Sequence, residues 1–146
     1  MHVLVLYESR RGTTKATAEA IAGAMRARGK DATLRPLGEV SDAAVRGADV
    51  IVLGTWVRGF VLFGVGPAKA AQTWLQRCPA LGGTPAAVFC TFSFDPRETL
   101  ATVAGGLHAR GATIVGERAF RRGRHLEGVN PFVDAILDAV KAVAPS

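Results

Sequence analysis

Three short runs of this chain are almost wholly apolar: His2–Tyr7 (HVLVLY), Asp49–Gly54 (DVIVLG) and Pro85–Thr91 (PAAVFCT). They lack the in-out alternation of a half-exposed strand and are too short for ordinary helices, so they read as central parallel strands buried on both faces. Two further runs, Asp31–Pro36 (DATLRP) and Ala112–Glu117 (ATIVGE), complete a set of five; the former alternates and reads as an edge strand. Helical patterns lie between them. Thr13–Arg28 places Ala16, Ala20, Ile21, Ala24 and Met25 on one face and stops at Gly29, a residue suited to the left-handed position after a helix. Pro67–Arg77 opens with a proline suited to the first helical position. Pro96–Arg110 ends at Gly111, Pro131–Val143 closes the chain, and a short helical turn at Ser41–Arg46 joins the second and third strands. Strand and helix alternating in this way predict an α/β fold: a three-layer, doubly wound, five-stranded parallel sheet. Residues 1–146 are expected to form one domain.

Composition narrows the function classes. Apolar residues make up 49% of the chain, yet no run approaches the roughly 18 uninterrupted apolar residues of a spanning helix. The opening VLVLY is too short for a signal segment and runs into charged sequence, so a cytoplasmic protein is expected. Cys78 and Cys90 form no CxxC pair and no His/Cys cluster has ligand spacing; reduced, buried thiols are expected, and no metal. The net charge of +6 favours anionic partners: a phosphorylated ligand, an acidic protein, nucleic acid or an anionic membrane face.

In an open parallel sheet, ligands bind beyond the carboxyl ends of the strands. Three segments reach that edge: Glu8–Gly12, Thr55–Gly66 and Phe92–Asp95. The first, in the run YESRRGTTKA, sets a glycine among hydroxyls and cations directly before a helix. A turn feeding a helix N-terminus presents unpaired amides and partial positive charge to an anion. Gly12 allows close backbone approach, Ser9, Thr13 and Thr14 offer hydroxyls, and Arg10 and Arg11 offer charge. The competing reading is a helix cap made by Thr13 or Thr14, with both arginines solvated.

The pattern Ser9-x-x-Gly12-x-Thr14 after the first strand resembles the phosphate-binding loop of the flavodoxin family, usually [ST]-x-T-G-x-T. The resemblance extends over the whole chain in length and strand pattern, and the uninterrupted last strand is similar to the short-chain form. It implies strand order 2-1-3-4-5 with FMN at the strand tips, its phosphate held by Ser9, Arg10, Arg11, Gly12, Thr13 and Thr14. Trp56 stands where the family places an aromatic residue against the flavin ring, with Thr55 and Val57 beside it; covering the core is its alternative role. Arg58-Gly59 is the counterpart of the turn near flavin N5 that tunes the potential. Thr91, Phe92, Ser93 and Phe94 match the family poorly, but the resemblance places Phe92 or Phe94 on the other ring face. A packing role for either phenylalanine stays open.

The apolar run Phe60-Val61-Leu62-Phe63 either folds back over the sheet edge, flanking the flavin, or forms a docking patch that contacts a second subunit, making a homodimer, or a lipid-soluble substrate. The segment Arg118 to His125, with Arg121, Arg122 and Arg124, is read as lying beyond the last strand: a solvated loop, or a dock for an acidic partner. Flavodoxins that shuttle electrons are usually acidic, so the redox partner implied here carries an acidic docking face. Nucleic acid is not expected, for want of interleaved aromatics. Peripheral membrane contact is allowed by the basic face, and the loop is also similar to flavodoxin-like protoporphyrinogen oxidases, although the long insertion of those enzymes is missing. No Walker loop, phospho-receiver aspartate, Cys-x5-Arg loop or Ser/His/Asp set is found, so no catalytic side chain is expected. The three histidines, His2, His108 and His125, are read as structural or solvated. The expected function is FMN-dependent electron transfer. Two rivals stay open: an oxidoreductase acting on a quinone or porphyrin precursor, and a flavin-free binding module with a basic edge.

Overall fold

The computed structural model describes residues 1–8, 12–58, 66–67, 69–93 and 97–143. Its elements run β1 (His2–Tyr7), α1 (Thr13–Ala27), β2 (Asp31–Pro36), α2 (Asp42–Arg46), β3 (Val50–Arg58), β4 (Gly66–Pro67), α3 (Lys69–Arg77), β5 (Pro85–Phe92), α4 (Arg97–Ala109), β6 (Thr113–Arg121) and α5 (Val129–Val143). The sheet order is β2-β1-β3-β5-β6, with every neighbouring pair parallel. Counting the parallel strands alone, this is the 2-1-3-4-5 order expected. The two-residue β4 pairs antiparallel with the far end of β3.

The continuous apolar runs became the three central strands because each has to face a helical layer on both sides. Val3, Val5, Val50, Val52, Ala87 and Phe89 pack with Ala18, Ile21 and Met25 of α1 and Phe132, Val133 and Ile136 of α5. The alternate residues Leu4, Leu6, Ile51, Leu53, Ala86 and Val88 pack with Val45 of α2, Ala71, Trp74 and Leu75 of α3, and Val103 and Leu107 of α4. β2 is an edge strand, as its alternation indicates; β6 is the other. Cys78 and Cys90 are free and buried. Burial raises the Cys90 thiol to about 12, so it stays protonated.

Local signals explain the helix ends. Ser41 accepts from the Ala44 amide at 3.1 Å and caps α2. Beyond α1, Lys30 N–H donates to Met25 O and Gly29 N–H to Arg26 O, the paired bonds that close a helix at the glycine foreseen there. The buried face of α1 is Thr14, Thr17, Ala18, Ile21, Ala22 and Met25, whereas Ala16, Ala20 and Ala24 are only half-buried. The stripe is therefore turned toward two threonines whose hydroxyls find partners inside.

Three expectations are corrected. Thr55–Arg58 is not loop: β3 continues through it, because Thr55 and Trp56 pair with Cys90 and Thr91, and Val57 and Arg58 with Pro67 and Gly66. Pro67 therefore belongs to β4 and α3 starts at Lys69; proline is tolerated on such a short outer strand. The stretch Arg118–Arg121 is strand rather than loop, since β6 pairs with β5 up to Phe92↔Arg121. Its charges suit the open side of an edge strand, while Phe120 is buried edge-on between Phe89 and Phe132.

Gly54 lies in the middle of β3 with the Phe89 ring where a Cβ would stand. Gly54→Ala is expected to lower stability by about 1–3 kcal/mol through overpacking. Urea unfolding checks this, and Phe89→Leu in the same chain should recover part of the loss.

Candidate functional site

The carboxyl ends of β1, β3 and β5 meet at one edge. Tyr7 pairs with Gly54, Gly54 with Phe89, and Trp56 with Thr91; Glu8 N–H donates to Gly54 O at 3.0 Å. Into this edge points the start of α1. Its N-cap is Gly12, at φ 86°, a conformation that costs a residue with a Cβ about 1–2 kcal/mol. Among the described residues, an added Cβ at Gly12 would meet nothing within 4 Å, so the glycine is there for its conformation. Neither Thr13 nor Thr14 is the cap, which sets aside the plain-cap reading.

Thr14 is buried and its Oγ1 lies 2.7 Å from Oγ1 of buried Thr91, joining the first turn of α1 to the end of β5. A hydroxyl has one proton and two lone pairs, so one threonine donates within the pair and the other keeps its proton for a further acceptor. One turn on, Thr17 Oγ1 lies 3.0 Å from Thr13 O and 3.2 Å from His125 O, its single proton shared between the two carbonyls. The segment after β6 is thereby held against α1, and Arg122 N–H, donating to Phe92 O at 2.8 Å, holds it against β5. Arg121, Arg122, Gly123 and Arg124 are exposed around a hollow of about 530 Å³.

Of the residues expected at the site, Gly12, Thr13, Thr14, Thr91 and Phe92 are thus gathered at this edge. Thr55 is buried, Trp56, Val57 and Phe92 are half-buried, and Ser93 is exposed; Arg58 closes β3 opposite Gly66. Ser9, Arg10, Arg11, Gly59 and Phe94, like the run Phe60–Phe63, lie outside the described residues. Among the described residues no group of three His, Cys, Asp or Glu side chains could hold a metal ion. No described helix is long and apolar enough to cross a membrane.

Glu8 was not singled out by the sequence, yet its Oε2 accepts from Ala71 N–H at 3.2 Å, in the first turn of α3. Burial raises its pKa above the ordinary 4.5, against the lowering effect of the amides of Ala71 and Ala70. No spacing rule could have paired residues 63 apart.

A doubly wound parallel sheet whose first strand feeds a glycine-capped helix at the ligand edge defines a class of anion- and nucleotide-binding α/β proteins. The Flavodoxin domain family model matches residues 4–104, and the chain belongs to that family. Proteins of this family bind FMN and pass electrons to redox partners. No curated protein matches the chain. Among solved structures, an archaeal flavodoxin is 21% identical, covers 97% of this chain and 99% of its own, and superposes with TM-score 0.79. Two-electron reduced Megasphaera elsdenii flavodoxin is 20% identical over 97% and 99%, with TM-score 0.77. The rubredoxin oxygen:oxidoreductase of Desulfovibrio gigas is 18% identical over 97% of this chain but 36% of its own, with TM-score 0.76. At these identities the likeness is one of fold.

The raised pKa of Glu8 has a definite sign. Its contribution to stability is complete below pH 4.5 and is lost as pH rises through the folded-state value. Glu8→Gln keeps an acceptor for Ala71 N–H, so it should be at least as stable as wild type at pH 7, with the difference vanishing near pH 4. Urea midpoints at the two pH values measure it.

Proposed function

We propose that this chain is an FMN-binding electron-transfer protein. The observation that carries the reading is the junction of α1 with β5: a left-handed glycine at the helix start and a first-turn threonine tied to the strand end. It supports the reading because it brings the helix start, where the phosphate would be held, beside the strand end, where the ring would lie.

Under this reading Ser9, Arg10, Arg11, Gly12, Thr13 and Thr14 hold the FMN phosphate. Trp56 would stack on the ring beside Thr55 and Val57, Arg58 and Gly59 would stand near N5, and Phe92 or Phe94, with Thr91 and Ser93, would meet the other face. FMN, when bound, supplies the redox centre; this chain binds it, orients it and sets its electrostatic surroundings. The amides at the start of α1 suit a phosphate, being oriented before the ligand arrives. No side chain is required as acid or base. The redox partner is a separate protein with an acidic docking face. A small-molecule oxidoreductase on the same scaffold is the second reading, and rapid turnover with a quinone in the absence of any carrier protein would single it out.

Titration of the purified protein into FMN and into riboflavin, followed by flavin fluorescence, tests the proposal. FMN should be strongly quenched and riboflavin bound much more weakly. Gly12→Ala should weaken FMN roughly 5- to 30-fold, the equivalent of the 1–2 kcal/mol conformational cost, and Arg11→Ala should weaken FMN more than riboflavin. Equal affinity for both flavins would remove the phosphate loop from the argument, and no quenching by either would remove the flavin.

A further inference from the structure

We propose that the arginine segment following β6 is the docking surface for an acidic redox protein; the redox part of this assignment rests on the function proposed above. Arg121, Arg122 and Arg124 are exposed, and among the described residues none of their guanidinium groups meets a carboxylate. The ion pair Arg28–Asp134 lies instead between α1 and α5, remote from this loop in the chain. Within residues 121–127, Glu127 alone stands against these three cations.

The loop is built rather than loose. Arg124 N–H donates to Arg121 O at 2.9 Å and Glu127 N–H to Arg124 O at 3.1 Å, which folds the backbone into successive turns. The bond from Arg122 N–H to Phe92 O and the one from Thr17 Oγ1 to His125 O fasten it to β5 and α1. Arg121, Arg122, Gly123 and Arg124 therefore line the hollow on a backbone held by hydrogen bonds. Planar guanidinium groups grip carboxylates in pairs of parallel hydrogen bonds, and a fixed frame reduces the ordering cost of binding.

Position supplies the second argument. Phe92 follows Thr91, whose hydroxyl is tied to Thr14, so the loop borders the edge where the redox centre would sit. A partner docked on it is brought next to that edge. Leu126, 55% exposed and two residues after Arg124, adds one apolar side chain to the cationic segment, the composition of a small transient interface. One leucine is too little for an amphipathic membrane anchor. Phe120 is 1% exposed and so cannot stack on a base.

The probe is a fluorescently labelled acidic [2Fe–2S] ferredoxin, its binding to the whole protein followed by anisotropy at about 0.02 M and 0.5 M ionic strength. Wild type should bind at low salt and lose affinity at high salt. Arg121→Glu/Arg122→Glu/Arg124→Glu should weaken binding roughly tenfold or more while still quenching FMN fluorescence. Arg46→Glu/Arg77→Glu/Lys141→Glu makes the same change in net charge at the far ends of α2, α3 and α5, and should retain most of the affinity. Equal loss in both variants would reduce the effect to net charge and overturn the proposal, as would no binding by wild type. Loop-dependent binding to phosphatidylserine vesicles, without ferredoxin binding, would reassign the loop to a membrane and overturn it too. Loop-dependent ferredoxin binding by a protein that quenches no FMN would keep the docking surface and dismiss the electron-carrier reading.

Discussion

Burial of β1, β3 and β5 on both faces is the constraint from which the remaining architecture follows. Residues 3–6, 50–53 and 86–90 are fully buried, and because strand side chains alternate, each strand needs apolar cover above and below. Five parallel strands cannot be joined by tight turns, so each connection crosses back over a face, and the helices that make those crossings are the cover required. The same geometry brings the carboxyl ends of all the strands, and the starts of the helices that follow them, to one edge. A binding edge is thus a by-product of how this core is closed.

At that edge, two helix starts flank the end of β1 and are treated differently. The first turn of α3 receives the carboxylate of Glu8 through Ala71 N–H, an anion supplied by the chain itself. The first turn of α1 is capped by Gly12, which has no side chain to offer, and its hydroxyls turn inward to β5 and to the loop after β6. A helix start attracts negative charge in either case. Here α3 has its anion from within, whereas the N-cap of α1 is a glycine. The carboxylate at Glu8 also separates the two helix starts electrostatically, since it disfavours a second anion close to α3.

The strands and several helix ends were legible because they follow from local pattern: continuous apolar runs, a terminal glycine at Gly29, a capping serine at Ser41; the strand order came from the resemblance to the flavodoxin family. The errors were equally physical. Thr55–Arg58 and Arg118–Arg121 mix polar and apolar residues, and their strand character comes from partners in β4 and β5 that local sequence does not name. Pro67 before a helical pattern is ambiguous, and cross-strand pairing with Val57 decided it. At this edge the helix start at Gly12 was legible from a glycine standing directly before a helical pattern, whereas Glu8–Ala71 and Thr14–Thr91 join positions 63 and 77 residues apart and exist only once the sheet is assembled.

Charge at this edge acts at two ranges. The exposed arginines of the loop after β6 are in water, where salt screens a charge over about 8 Å at physiological ionic strength. Their effect on a group buried beside β5 is therefore small compared with their effect on an approaching macromolecule, which meets them first. Glu8 is the opposite case. Burial, not a neighbouring charge, is the largest cause of its perturbation, and as a half-buried carboxylate it contributes to the field at the edge itself. A chain of this family can in this way set the sign of its encounter surface with exposed arginines and the field at its binding edge with a half-buried carboxylate, and change either without rebuilding the sheet that supports both.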